Sequence, residues 1–169
     1  SVNKLHTING IEKLKYLTYF NISSNQIDSI DCICNQNLTY LNISNNFIHS
    51  LSNLSILPSL RTFHIDGNQL HSLDGISQHI HLSILTLSNN SIQSLDEIKK
   101  LCHLNELHTL NLSNNPITQI NEYRYHILYL LPGLVYLDNQ LVTPEEIIDA
   151  KNYFGHTTIM NDAILQTYL

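Results

Sequence analysis

The stretch LTYLNISNNFI, residues 38–48, decides the architecture. Leu38, Leu41 and Ile43 alternate with polar residues over a few positions, which is the signature of a short, half-buried strand. Asn46 and Ile48 follow at fixed offsets. The same pattern, L-x-x-L-x-L-x-x-N-x-L with Ile or Phe replacing Leu at some positions, returns four more times. LTYFNISSNQI starts at Leu17, LRTFHIDGNQL at Leu60, LSILTLSNNSI at Leu82 and LHTLNLSNNPI at Leu107, with successive starts 21, 22, 22 and 25 residues apart across the five segments. Such a period indicates a stack of small units, none of which can bury its own apolar face. Equivalent strands should pair in parallel at about 4.8 Å. Their apolar residues then merge into one column, and Asn25, Asn46, Asn68, Asn90 and Asn115 form a second. At that second column the chain turns away from the strand, and a buried carboxamide can both donate to and accept from the freed backbone groups.

The segments between strands carry apolar residues at helical-turn spacing: Ile11 and Leu14, Ile76 and Ile80, Ile98 and Leu101. They are short, so 3₁₀ or single α-turns are expected on the outer surface, with a true helix in the longer unit around Asp96–Leu101. Asp31, Asp74 and Asp96 recur in register at the start of these segments, as carboxylates that cap a turn. Asn3, Leu5, Ile8, Ile11 and Leu14 precede Asn25, Ile27, Ile30, Ile33 and Gln36 by 22 residues, the first four pairs matching in type. The chain is therefore expected to open inside a repeat, as a fragment of a longer protein or after an element that is not present. At the other end, Asn121 is the expected N-cap of a helix 122–131 that Pro132-Gly133 stops. Residues 134–138 supply a last strand. Thr143-Pro144-Glu145-Glu146 is a capping box with proline at the first helical position. The helix after it should run to about Phe154, stop at Gly155, and be followed by a second segment, 158–169.

These repeats of about 22 residues resemble the leucine-rich-repeat subclass typified by the nuclear regulatory subunit of protein phosphatase 1. Asn115-Pro116-Ile117, Tyr123-Arg124, Leu131-Pro132, Leu134 and Leu137-Asp138 look like that subclass's C-terminal cap, which also occurs in the spliceosomal A-prime protein and axonemal dynein light chain. The resemblance implies an α/β fold: a right-handed solenoid with a parallel concave sheet, a convex side of 3₁₀ turns and short helices, and a helical cap. It divides the chain into a solenoid with its cap, residues 1–138, and a helical extension, 139–169. It also implies a protein-binding module in the cytoplasm, the nucleus, or a ciliary or cytoskeletal assembly. The cysteine-rich caps of secreted repeat proteins and the acidic tail of acidic nuclear phosphoproteins are both absent.

Composition narrows the function. Apolar residues make up 43% and charged residues 13%, enough for a continuous core and too little charge for a disordered chain. With 8 basic and 14 acidic residues the net charge is −6, and the basic residues form no run, so direct nucleic-acid binding is not expected. Three cysteines, Cys32, Cys34 and Cys102, are no disulfide framework and favour an intracellular compartment. In Cys32-Ile33-Cys34 one thiol is expected to pack inward beside Ile33. No apolar run approaches the roughly 18 residues of a membrane span. His49 and His71 share a register with Asp28 and His6, which supplies too few ligands for a structural metal site. No metal, cofactor or catalytic constellation is expected, and the chain reads as a binding protein rather than an enzyme.

Strand alternation places the binding residues on the concave face. They are Tyr19, Asn21, Tyr40, Asn42, Thr62, His64, Asp66, Ile84, Thr86, Asn111 and Tyr136, a polar and nearly uncharged set with tyrosines at both ends. His64 and Asp66 break the repeated Asn-Ser pattern and are the expected partner-specific contacts. The formal glycosylation sequons at Asn21, Asn42 and Asn111 are by-products of the repeat consensus. The alternative reading is architectural: a portion of a larger protein whose C-terminal helices dock a neighbouring domain or a second chain.

Overall fold

In the computed structural model the backbone is described for residues 4–31 and 33–167, and the side chains for 4–31 and 33–155. Seven strands form one sheet in chain order: β1 (Tyr19–Asn21), β2 (Tyr40–Asn42), β3 (Thr62–His64), β4 (Ile84–Thr86), β5 (Thr109–Asn111), β6 (Tyr136–Leu137) and β7 (Gln140–Leu141). Pairing is parallel and strictly in register from β1 to β6, with Tyr19 beside Tyr40, Tyr40 beside Thr62, Thr62 beside Ile84, Ile84 beside Thr109 and Thr109 beside Tyr136. Every central strand residue from β2 onward, Leu41, Phe63, Leu85, Leu110 and Leu137, is fully buried. With Ile43, Ile65, Leu87 and Leu112 they make the single apolar column that the repeat demands.

The asparagine column is a hydrogen-bonded ladder between coils. Asn68 Nδ2 donates to the carbonyls of Ile65 (3.0 Å) and Ile43 (3.1 Å), while its Oδ1 accepts from Ile48 N (3.0 Å). Asn46, Asn90 and Asn115 repeat the arrangement, each donating to its own coil and to the one before it. All five asparagines of the column are buried. The backbone just before each ladder residue turns left-handed, at Ser24, Asn45, Gly67, Asn89 and Asn114. Asparagine and glycine tolerate that conformation best.

The outer side consists of 3₁₀ turns at Ile11–Lys13, Ile76–Gln78 and Pro116–Gln119, and one short helix, α1 (Leu95–Lys99). Ile11, Ile76, Ile98 and Leu101 point inward as expected, but Leu14 and Ile80 are 53% and 56% exposed. A 3₁₀ turn repeats every three residues. His79, three residues after Ile76, therefore takes the inward place, and its ring is 1% exposed. Among the described residues the turn N–H groups are capped by serines rather than by the recurrent aspartates. Ser29, Ser72 and Ser94, each two residues earlier, accept the N–H of Asp31, Asp74 and Asp96, and Ser50 accepts that of Ser52. Asp74 and Asp96 instead pair with Lys100 and Lys99, both at 2.7 Å. Cys34 is exposed rather than packed beside the buried Ile33, and Cys32 lies outside the described residues.

The C-terminal end is closed by α2 (Tyr123–Leu130), the β6–β7 hairpin and α3 (Pro144–Thr167). Asn121 is not the N-cap of α2. Glu122 holds that position in a left-handed conformation, with no side-chain cap bond. The chain reverses at Asp138 and Asn139, both left-handed, and brings β7 back antiparallel to β6. The capping box forms as expected: Thr143 N donates to Glu146 Oε2 (2.9 Å) and Glu146 N to Thr143 Oγ1 (3.3 Å). Gly155 does not stop the helix, which continues to Thr167. Glycine inside a helix costs about 1 kcal/mol and does not by itself break it. The stripe expected at Ile159, Ile164, Leu165 and Leu169 lies outside the described side chains. Arg124 ties the closing elements together. Its Nε and one Nη grip Glu146 at 2.6 and 3.1 Å, and its two Nη groups reach the carbonyls of Leu137 and Leu141 at 3.3 and 3.2 Å.

Candidate functional site

In-register pairing sorts the concave residues into three columns that cross the strands. The first holds Tyr19, Tyr40, Thr62, Ile84, Thr109 and Tyr136. The second holds Asn21, Asn42, His64, Thr86 and Asn111. The third follows the strand ends and holds Ser23, Ser44, Asp66, Ser88 and Ser113. All eleven residues expected from the sequence thus share one face. Tyr19 and Tyr136, at its two ends, are 56% and 45% exposed. Leu141 was not anticipated. It faces Tyr136 across the hairpin, is 59% exposed, and makes the C-terminal end of the face apolar. Only the reversal at Asp138-Asn139 brings it there.

The N-terminal end is an aromatic shelf. The rings of Tyr19 and Tyr40 stack with centroids 4.2 Å apart and planes 9° from parallel. The His64 ring tilts against Tyr40 at 5.4 Å. Desolvation holds the Tyr40 phenol above its ordinary range, and its hydroxyl is hydrogen-bonded to Asn42 and Tyr19.

A polar relay runs through the centre of the face. Asp66 accepts from Ser88 N (2.8 Å), Ser88 Oγ (2.7 Å) and Thr86 Oγ1 (2.5 Å), and Thr86 Oγ1 also meets His64 Nδ1 at 2.9 Å. A threonine hydroxyl has one proton. That proton goes to the carboxylate, so His64 Nδ1 carries its own proton and donates it to Thr86. Nδ1 is therefore a protonated nitrogen of His64, and Nε2 takes no part in this relay. Burial depresses the His64 pKa, and the nearby Asp66 charge opposes that only in part. The break in the Asn-Ser pattern at His64 and Asp66 is thus one connected device spanning β3 and β4.

The asparagines of the second column are locked as well. Asn21, Asn42 and Asn111 each accept the backbone N–H two residues on, from Ser23 (3.0 Å), Ser44 (2.9 Å) and Ser113 (3.0 Å). A backbone N–H can only donate, so Oδ1 is committed inward and Nδ2 is the end presented to the groove. Arg61, the one arginine beside the face at the start of β3, is engaged with Glu106 at 3.1 Å, and Glu106 also holds His81 at 2.7 Å.

The leucine-rich-repeat family model matches residues 23–163, most of the chain. The chain belongs to the leucine-rich-repeat family. Its sequence is 42% identical over 50 residues to the U2 small nuclear ribonucleoprotein A' of Candida albicans, a match covering 30% of this chain and 22% of that protein. The fold is similar to that in the crystal structure of the Drosophila melanogaster SNF/U2A' complex, with a TM-score of 0.75 at 21% identity, covering 94% of this chain and 93% of that one. It is also similar to an internalin (inlF) of Listeria monocytogenes, with a TM-score of 0.70 at 25% identity, covering 81% of this chain and 39% of that one. No helix among the described residues is long and apolar enough to cross a membrane.

Proposed function

We propose that this chain is a protein-interaction module that holds a partner protein on its concave face, as part of a larger nuclear assembly. The observation that carries this reading is the preorganisation of the face. Two stacked tyrosines, a histidine held by Thr86 and three carboxamides of fixed orientation stand on a rigid parallel sheet. Side chains held this way lose little rotamer freedom on binding, and tyrosine supplies contact area at low entropic cost. The A' protein match and the likeness to a chain solved in a complex of two proteins support a partner protein and a nuclear setting. Placement in the phosphatase-regulator-like subclass is part of the same proposal and rests on repeat length and the cap motif.

The test is affinity capture of the native partner, identified by mass spectrometry, with wild-type chain and with Thr62→Trp, which fills the middle of the face. Thr62→Trp should lose the partner while keeping the wild-type circular dichroism spectrum. Retention of the partner by the folded variant would remove the concave-face reading. Ile148 and Tyr153 on α3 are 56% and 50% exposed, which favours a second, weaker reading in which α3 docks a neighbouring domain or a second copy. Mass measured against concentration, with and without residues 156–169, separates the two.

A further inference from the structure

The hydrogen-bonding atoms left over on the concave face specify the chemistry of what it takes. Asn21 and Asn42 have spent their oxygens on Ser23 N and Ser44 N, so what they offer is N–H donors, one of those on Asn42 being shared with the Tyr40 hydroxyl. They need oxygen acceptors opposite them. His64 has spent its N–H on Thr86. Its Nε2 takes no part in the relay and needs a donor opposite it. Tyr40 stands beside the ring, with Tyr19 stacked on Tyr40, and the Asp66 carboxylate belongs to the same relay. No lysine or arginine occupies any of the concave register positions, and the whole chain carries a net charge of −6. A donor that also carries positive charge gains from the lone pair and from the field of the carboxylate together. A carboxylate placed there gains from neither.

We propose that the N-terminal half of the concave face takes a basic side chain, arginine or lysine, of a partner protein at the Tyr19–Tyr40–His64 shelf, with oxygens of the partner's backbone or amide side chains on Asn21 and Asn42. This rests on the concave-face reading above and adds the partner's chemistry to it. Neutral acceptors fit the asparagines better than acidic side chains, because Asp66 and the net charge oppose a second negative group. The shelf and the two donors lie on adjacent strands, so one short segment reaches both.

The experiment is a selection of random peptides displayed on phage against the immobilised chain, followed by fluorescence anisotropy with the selected peptides made synthetically. Peptides enriched in lysine or arginine are expected. Their binding should weaken by about tenfold in His64→Phe, which keeps an aromatic ring and removes the acceptor, a loss equivalent to about 1.4 kcal/mol. Thr62→Trp should abolish it. If the selected peptides are acidic or purely apolar, bind His64→Phe as well as wild type, and are still lost in Thr62→Trp, the basic-side-chain proposal fails while the concave-face reading stands. Peptides indifferent to Thr62→Trp, or no enrichment over an uncoated surface, overturn both.

Discussion

The carbonyl oxygen of Leu51 occupies the space that a β-carbon on Gly75 would need, well inside van der Waals contact. Gly75 starts a 3₁₀ turn with φ of 94°, and the preceding coil packs directly on its bare α-carbon. Gly10 starts the equivalent turn near the N-terminus with the same φ of 94°, and nothing lies within 4 Å of its β position. The two glycines therefore separate backbone strain from close approach. Gly10→Ala should cost about 1 kcal/mol, the ordinary penalty of a left-handed alanine. Gly75→Ala carries that penalty and a clash with backbone, and should cost roughly 3 kcal/mol or more. Urea midpoints of the two variants check this. Equal midpoints would mean that the coil spacing relaxes freely.

The asparagine ladder yields a second expectation. Asn68→Ala strips Ile48 N–H of its partner inside the stack and takes one of two donors from the carbonyls of Ile43 and Ile65, which keep Asn46 and Asn90. Buried groups stripped of a hydrogen bond cost roughly 1–3 kcal/mol each where they cannot reach water. A loss of about 2 kcal/mol in urea unfolding is expected. Asn68→Asp has the same shape and keeps the acceptor for Ile48 N–H, but turns the donor into a second oxygen aimed at two carbonyls. It should be destabilised most at neutral pH and partly recover as acid protonates the new carboxyl. A deficit that does not change with pH would contradict the ladder's polarity.

Much of this was legible in the sequence because it is set by local periods. Strand positions, the ladder asparagines, the capping box and the concave face all follow from residues a few positions apart. What escaped depends on contacts or backbone states that spacing does not encode. Ile76 and Ile80 stand four residues apart, a spacing that does not distinguish the two kinds of turn, and the 3₁₀ turn that forms brings His79 inward instead of Ile80. Aspartates and serines both stand near each turn start, and the serines two residues earlier do the capping. The hairpin at Asp138-Asn139 flanks strands of only two residues, too short to show alternation, so Leu141 was not assigned to the face. The relay from His64 to Asp66 needs Thr86 and Ser88 from the next coil, more than twenty residues away in the chain.

The closing elements depend on Arg124 gripping Glu146. Arg124→Lys keeps the charge and loses the planar fork that reaches Glu146 and two carbonyls together. It should loosen α3, raise the rate of proteolysis within residues 144–155, and cost roughly 1–3 kcal/mol. The hydrogen bond from Arg124 holds the Glu146 carboxyl below its ordinary pKa of 4.5. The folded state thus keeps this group ionised where the unfolded chain would protonate it. Its contribution is fully present above pH 4.5 and is lost as acid titrates the folded carboxyl. Glu146→Gln should flatten the acid limb of the stability profile, and an unchanged limb would assign acid sensitivity elsewhere.

His79 acts in a higher pH range. Its ring is buried in the apolar column, with Nδ1 3.1 Å from the Ile76 carbonyl. A carbonyl only accepts, so Nδ1 carries the proton and the neutral ring fits. A second proton on Nε2 would place a charge in the buried interior, where backbone hydrogen bonds to Ile76, Ser55 and Gly75 offset only part of its desolvation. Burial therefore depresses the pKa below its ordinary 6.5. The unfolded chain takes up the proton first as pH falls, so this stabilisation is complete above about pH 6.5 and declines below it, until the folded ring also titrates. Leucine occupies the equivalent position at Leu57 and Leu104, both buried. His79→Leu should be no less stable at pH 7.5 and should lose the drop in thermal midpoint between pH 7 and pH 5.5. If that drop survives the substitution, another histidine carries it, and the His64 relay is the next to test with His64→Phe.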